Sequence, residues 1–167
     1  MNFGLPTVSA ENPSQLDPTD EFKQGVKLLK NGYPKKAVEH FRRALESQKQ
    51  NPYYLSFLGL SLGHAERKWE EASEMCETAV QLRRKEMQFH LNLADVYAAA
   101  GRREKAMDTL DMALELFGHD RRLMLARGHV ERRRSPILPF FDRDHFLNRR
   151  LGKLRHRTLK RLSKEKS

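Results

Sequence analysis

The sequence predicts an all-α fold built as a solenoid: three helical hairpins, a seventh capping helix and a basic C-terminal helix. Small residues recur in step with a period of 34 or 35. Gly25, Gly59, Ala94 and Gly128 form one series, Ala37, Ala72 and Ala106 a second, and Ala44, Ala79 and Ala113 a third. Side chains without bulk let two helices approach closely, so small residues at fixed offsets mark hairpin contacts. Between them Leu28, Phe41, Leu45, Leu58, Leu62, Val80, Leu93, Tyr97, Leu110 and Leu114 stand at helical spacing, placed to fill the space between hairpins. A chain that is 38% apolar and 32% charged suits such a thin stack, which buries only the faces between neighbouring helices.

Each element has its own signal. Residues 1–17 read as a disordered N-terminal segment, with no basic residue and no apolar run that would make a secretory signal. Asp17-Pro18 starts the first helix, with Asp capping and Pro in the first turn. Asn31-Gly32 ends it near Lys30, because glycine tolerates the left-handed conformation that closes helices. Pro34 opens the second helix, which runs to about Gln48, and Asn51-Pro52 opens the third. The fourth covers about Lys68 to Arg83, the fifth Glu86 to Ala100 before Gly101, and the sixth Arg103 to Phe117. Asp120 to Arg134 begins a further unit at Gly128 but turns polar, with Arg127 and Glu131 where leucine and an aromatic are expected. It reads as a cap whose outer face stops further stacking.

The motifs Leu58-Gly59-x-x-Leu62, Leu93-Ala94-x-x-Tyr97 and Gln24-Gly25-x-x-Leu28 are followed by Ala37-x-x-x-Phe41, Ala72-x-x-x-Cys76 and Ala106-x-x-x-Leu110. This pattern resembles the tetratricopeptide repeat family, which reads L-G-x-x-Y in its first helix and A-x-x-x-F in its second. The resemblance covers roughly 18–134: repeats at about 18–51, 52–86 and 87–120, then a capping helix at 120–134. It implies a right-handed α-solenoid. Departures are Glu21, Leu55 and His90 in place of the first-helix tryptophan, and an extra residue with no turn glycine around Glu66-Arg67.

The resemblance further implies a concave groove lined by the first helices, taking an extended peptide or a helix of a partner protein. Its candidate residues are Phe22, Val26, Leu29, Tyr53, Phe57, Leu60, Leu91 and Asn92. One subclass of the family grips a C-terminal carboxylate with Lys, Arg and two Asn. The equivalent positions here are Phe22, Val26, Phe57, Gln88 and Asn92, none of which retains the required residue. The groove reads as apolar at its N-terminal end and basic at its C-terminal end, through Arg122, Arg132 and Arg133. Two readings of the apolar end stand side by side: it awaits a partner, or Phe22, Val26, Phe57 and Leu60 pack on each other or under residues 1–17.

The charge is uneven. Of a net +10, residues 119–167 hold 16 Lys/Arg against 5 Asp/Glu, and the rest of the chain is close to neutral. Residues 135–142 form an apolar linker with two prolines, suited to an extended path over the seventh helix or into the groove. Residues 143–167 read as a basic amphipathic helix. Leu147, Leu151, Leu154 and Leu162 make its stripe, with Arg149, Arg150, Lys153, Arg155, Arg157, Lys160 and Arg161 on the remaining surface. That tail either docks on the stack by its leucines or binds a polyanion, as nucleic acid or an anionic membrane surface.

No metal-ligand spacing, phosphate loop or nucleophile elbow is present, so no metal, cofactor or enzymatic activity is expected. The single Cys76 stands where the repeat has a core aromatic and reads as a buried, inert thiol. It fits a reducing compartment, and the expected location is cytoplasmic. The expected function is a protein-binding adaptor, scaffold or chaperone-like module. The alternative is a nucleic-acid- or ribosome-associated factor anchored through the tail.

Overall fold

A computed structural model describes residues 17–132, and of Arg132 only the backbone. Seven helices follow one another in these residues: α1 (Pro18–Lys30), α2 (Pro34–Ser47), α3 (Pro52–Glu66), α4 (Trp69–Leu82), α5 (Met87–Ala99), α6 (Arg103–Phe117) and α7 (Arg121–Arg132). The antiparallel pairs α1–α2, α3–α4 and α5–α6 are hairpins, and each stacks on the next, as the solenoid reading requires.

The helix ends follow the punctuation of the sequence. Asn51 accepts a hydrogen bond from the Tyr53 N–H at 3.0 Å and caps α3 with its side chain. Asp17 acts differently: its backbone carbonyl, not its carboxylate, receives the Asp20 and Glu21 N–H groups. Gly32 has φ +80°, and the Tyr33 N–H then reaches back to the Leu28 carbonyl at 2.9 Å, closing α1. Gly101 repeats this between α5 and α6. The turn that lacks a glycine puts Arg67 in the left-handed region instead, at φ 55°. The extra residue there accompanies a longer α3, of 15 residues against 13 in α1 and α5.

The small-residue series sits at the hairpin contacts. A Cβ at Gly25 would lie 2.6 Å from the Phe41 ring, and one at Gly59 would lie 2.7 Å from the Ala72 carbonyl oxygen and 2.9 Å from Cys76 Sγ. Phe41, Leu58, Leu62, Leu93, Tyr97 and Leu110 are buried between helices, while Leu28, Leu45, Val80 and Leu114 pack partly buried against them.

The positions that depart from the tryptophan pattern include two that are polar and internal. Glu21 is only 5% exposed, and its carboxylate meets His40 Nδ1 at 2.5 Å and Arg43 Nη1 at 3.5 Å, both from α2. A carboxylate taken out of water needs such partners. His90 is 1% exposed, bonds the Arg84 carbonyl through Nε2 at 2.9 Å, and meets the Phe117 ring edge-on at 5.7 Å.

Cys76 is fully buried, with its thiol donating to the Ser56 carbonyl at 3.4 Å, and burial pushes its pKa up to about 12. At about pH 8 such a thiol stays protonated, and it is the thiolate that reacts. Disulfide-exchange labelling of the folded chain should therefore run at least ~100-fold slower than in concentrated guanidinium. Equal rates, followed with a chromogenic thiol reagent, would show that Cys76 is accessible.

Candidate functional site

The first helices of the hairpins lie side by side, α1 against α3, α3 against α5 and α5 against α7. Their inner faces form the concave surface, and the two ends of that surface differ.

At the N-terminal end the aromatic residues occupy one another's space. Phe22 stacks edge-on against Phe57 at 5.3 Å and lies 5.1 Å from Tyr54 and 5.6 Å from Phe41. Tyr53 meets Phe89 at 4.9 Å, donates its hydroxyl proton to Glu86 at 2.7 Å and accepts from Arg83 at 3.2 Å. Offset and edge-on rings of this kind reinforce a packed cluster. Val26 and Leu29 are also partly buried against the core. Of the two readings of this end, mutual packing is the geometry found for Phe22 and Phe57, which remain half-buried rather than open.

Towards the C-terminal end the surface opens into a groove of about 510 Å³ between α3, α5 and α7. Leu60, Leu91, Ala98 and Ala126 line it as apolar walls, and Asp95 and His129 stand among them as polar groups. Asp95 Oδ2 lies 3.1 Å from His64 Nε2, tying α5 to α3 across the concave side. No lysine or arginine lines this groove among the described residues. Of the three cationic residues expected at this end, Arg122 does not line the groove, and its Nε lies 3.3 Å from Asp120. The Arg122 N–H donates to that carboxylate at 2.8 Å and holds Asp120 below the usual carboxylate range. The Arg132 side chain and Arg133 fall outside the described residues.

Asn92 is part of the structural floor. It is 2% exposed, donates to Ser56 Oγ at 2.9 Å and accepts from Gln88 at 2.8 Å. Asn92 and Gln88 thus satisfy each other at two of the five positions equivalent to the carboxylate grip. Nothing in the sequence reading singles out Ala126 or His129 as groove residues. Their signal was nevertheless available, since Ala126 and His129 lie 34 residues after Asn92 and Asp95. The tail residues Arg149, Arg150, Lys153, Arg155, Arg157, Lys160 and Arg161, the 135–142 linker and residues 1–16 lie outside the described residues. Among those described, no helix is long and apolar enough to cross a membrane.

The tetratricopeptide repeat family model matches residues 64–127. A search of curated protein sequences found no match. Among solved structures, a thermophilic TPR protein of Thermus thermophilus is similar with a TM-score of 0.62 and 24% identity. The match covers 68% of this chain and 63% of that one, so this chain spans less than two thirds of that protein's length. The TPR domain of Sgt2 from Aspergillus fumigatus matches with a TM-score of 0.60, 18% identity, and 71% and 82% coverage. The second TPR domain of human RPAP3, solved in complex with the HSP70 peptide SGPTIEEVD, matches with a TM-score of 0.56, 16% identity, and 70% and 99% coverage. Residues 64–127 thus match tetratricopeptide repeats, and the seven described helices, with hairpin contacts on a 34-residue small-residue register, share the fold of these tetratricopeptide-repeat neighbours.

Proposed function

We propose that this chain is a non-enzymatic protein-interaction module of the adaptor or chaperone-like kind, holding a peptide or helix of a partner protein in its concave groove. The observation that carries the reading is the open groove across α3, α5 and α7, with apolar walls and Asp95 as its acidic group. Apolar surface in a concave site is what a partner's side chains displace water from. Asp95 and the absence of lining lysine or arginine among the described residues favour a segment with apolar anchors and a cationic or neutral flank, not an acidic one.

This separates the chain from the peptide bound by the RPAP3 neighbour. Fluorescence polarisation with the peptide SGPTIEEVD should show a Kd no tighter than about 1 mM, because a carboxylate terminus would meet no charge-assisted donor. Binding in the micromolar range would refute the assignment of the groove. Peptides selected by display against the full chain are expected instead to carry apolar anchors, and to lose binding when Leu91 is changed to lysine.

The charge excess of residues 119–167 supports a second reading, a polyanion-associated factor. In that case binding falls steeply with salt and deletion of 143–167 removes it, since phosphate contacts act through counterion release. Under the groove reading, deletion leaves peptide capture intact.

A further inference from the structure

The hairpin register extends to α7, and there it meets no second helix among the described residues. Glu21, Leu55, His90 and Met124 occupy the same register position in α1, α3, α5 and α7. In α1 that position bonds to His40 and Arg43 of α2, and in α5 it packs on Phe117 of α6. Met124 in α7 is 52% exposed and its neighbour Leu125 50%. Gly128 continues the series of Gly25 and Gly59, each of which lies against the second helix of its own hairpin. Glycine weakens a helix interior relative to alanine, so a helix that ended the stack with nothing against it would gain from losing it. The α7 face therefore has the form of a hairpin half, with two large apolar side chains open to water.

We propose that the chain's own C-terminal segment completes this fourth hairpin, docking Leu147, Leu151 and Leu154 on the α7 face at Met124, Leu125 and Gly128. The chain leaves α7 at the end of this open face and continues for 35 residues. Residues 133–142 can span up to about 33 Å when extended, ample for a return onto α7. Residues 143–154 then present leucines at positions three and four apart, the spacing that puts them on one helical face. In such a helix Arg149 and Lys153 fall on the outer surface, while Arg150 flanks the leucine stripe, three residues after Leu147 and four before Leu154. The other hairpins are joined by turns of two or three residues, so this return is longer but of the same kind. The proposal is independent of what the concave groove binds.

The test is a set of double-cysteine variants of the full chain, Met124→Cys combined in turn with Leu147→Cys, Leu151→Cys and Leu154→Cys. The control is Tyr33→Cys with Leu151→Cys, since Tyr33 is equally exposed at the far end of the array. Under mild oxidation at least one leucine pair should form an intramolecular disulfide about ten-fold faster than the control, at a rate independent of protein concentration. Disulfide-linked dimers whose rate rises with concentration would instead assign the face to a second copy and overturn the proposal. So would rates indistinguishable from the control for all three pairs. Met124 is exposed, so the substitutions leave the packed hairpins untouched.

Discussion

Gly59→Val is expected to lower the unfolding free energy by about 3 kcal/mol, the upper part of the range for overpacking a dense interior. The added Cβ would fall 2.7 Å from the Ala72 carbonyl oxygen and 2.9 Å from Cys76 Sγ. The nearer obstacle is backbone within α4, so relief requires α3 and α4 to move apart rather than one side chain to turn. Gly25 differs: its added Cβ meets the ring of Phe41, a side chain that can shift a few tenths of an ångström at some cost to its own packing. Gly25→Ala should therefore be less harmful than Gly59→Ala, even though alanine favours a helix interior by about 1 kcal/mol in both cases. Denaturant titration followed by circular dichroism gives the order directly. An unchanged midpoint for Gly59→Val would mean that the α3–α4 contact is looser than described.

Leu91→Lys should weaken capture of a groove ligand by roughly 10- to 100-fold, since a leucine contact of about 1.5–3 kcal/mol is lost at about 1.4 kcal/mol per factor of ten. Lysine keeps an aliphatic stem along the groove wall and carries its ammonium towards solvent, so the helix stays packed while the site gains a charge. The matched control is Leu82→Lys on α4, half exposed and outside the groove, which should leave capture unchanged. Titration of a display-selected peptide against both variants decides it. Equal affinity for Leu91→Lys and the parent chain would remove α5 from the binding surface.

The hairpin plan was legible because its requirement is severe: only residues with little or no side chain fit where helices touch, and those recur visibly as Gly25, Gly59, Ala72 and Ala106. Helix ends were legible for a similar reason, since Gly32 and Gly101 occupy backbone conformations that other residues seldom take. The groove was harder to read. A repeat period assigns a residue to a helix face but not its depth, and the layer is thin enough that one position can line a surface or belong to the floor. Asn92 sank to the floor because Ser56 and Gln88 offered it partners, and Phe22 turned onto Phe57 because several aromatic residues converge there from three helices. The Glu21–His40–Arg43 contact was invisible for another reason: Glu21 registered only as a missing tryptophan, and its partners come from a helix begun after the intervening turn.

Each described helix touches only helices one or two places away along the chain. The array therefore behaves as a short one-dimensional lattice, in which the influence of a change fades with distance along the stack. Opening should begin at the first hairpin, which no helix flanks on its outer side among the described residues. Backbone amides of α3 should then exchange with solvent last, because α3 is held from both sides by α2, α4 and α5. The groove thus spans a gradient of local stability, with a firm wall at α3 and a wall at α7 whose firmness depends on the segment proposed to dock on it.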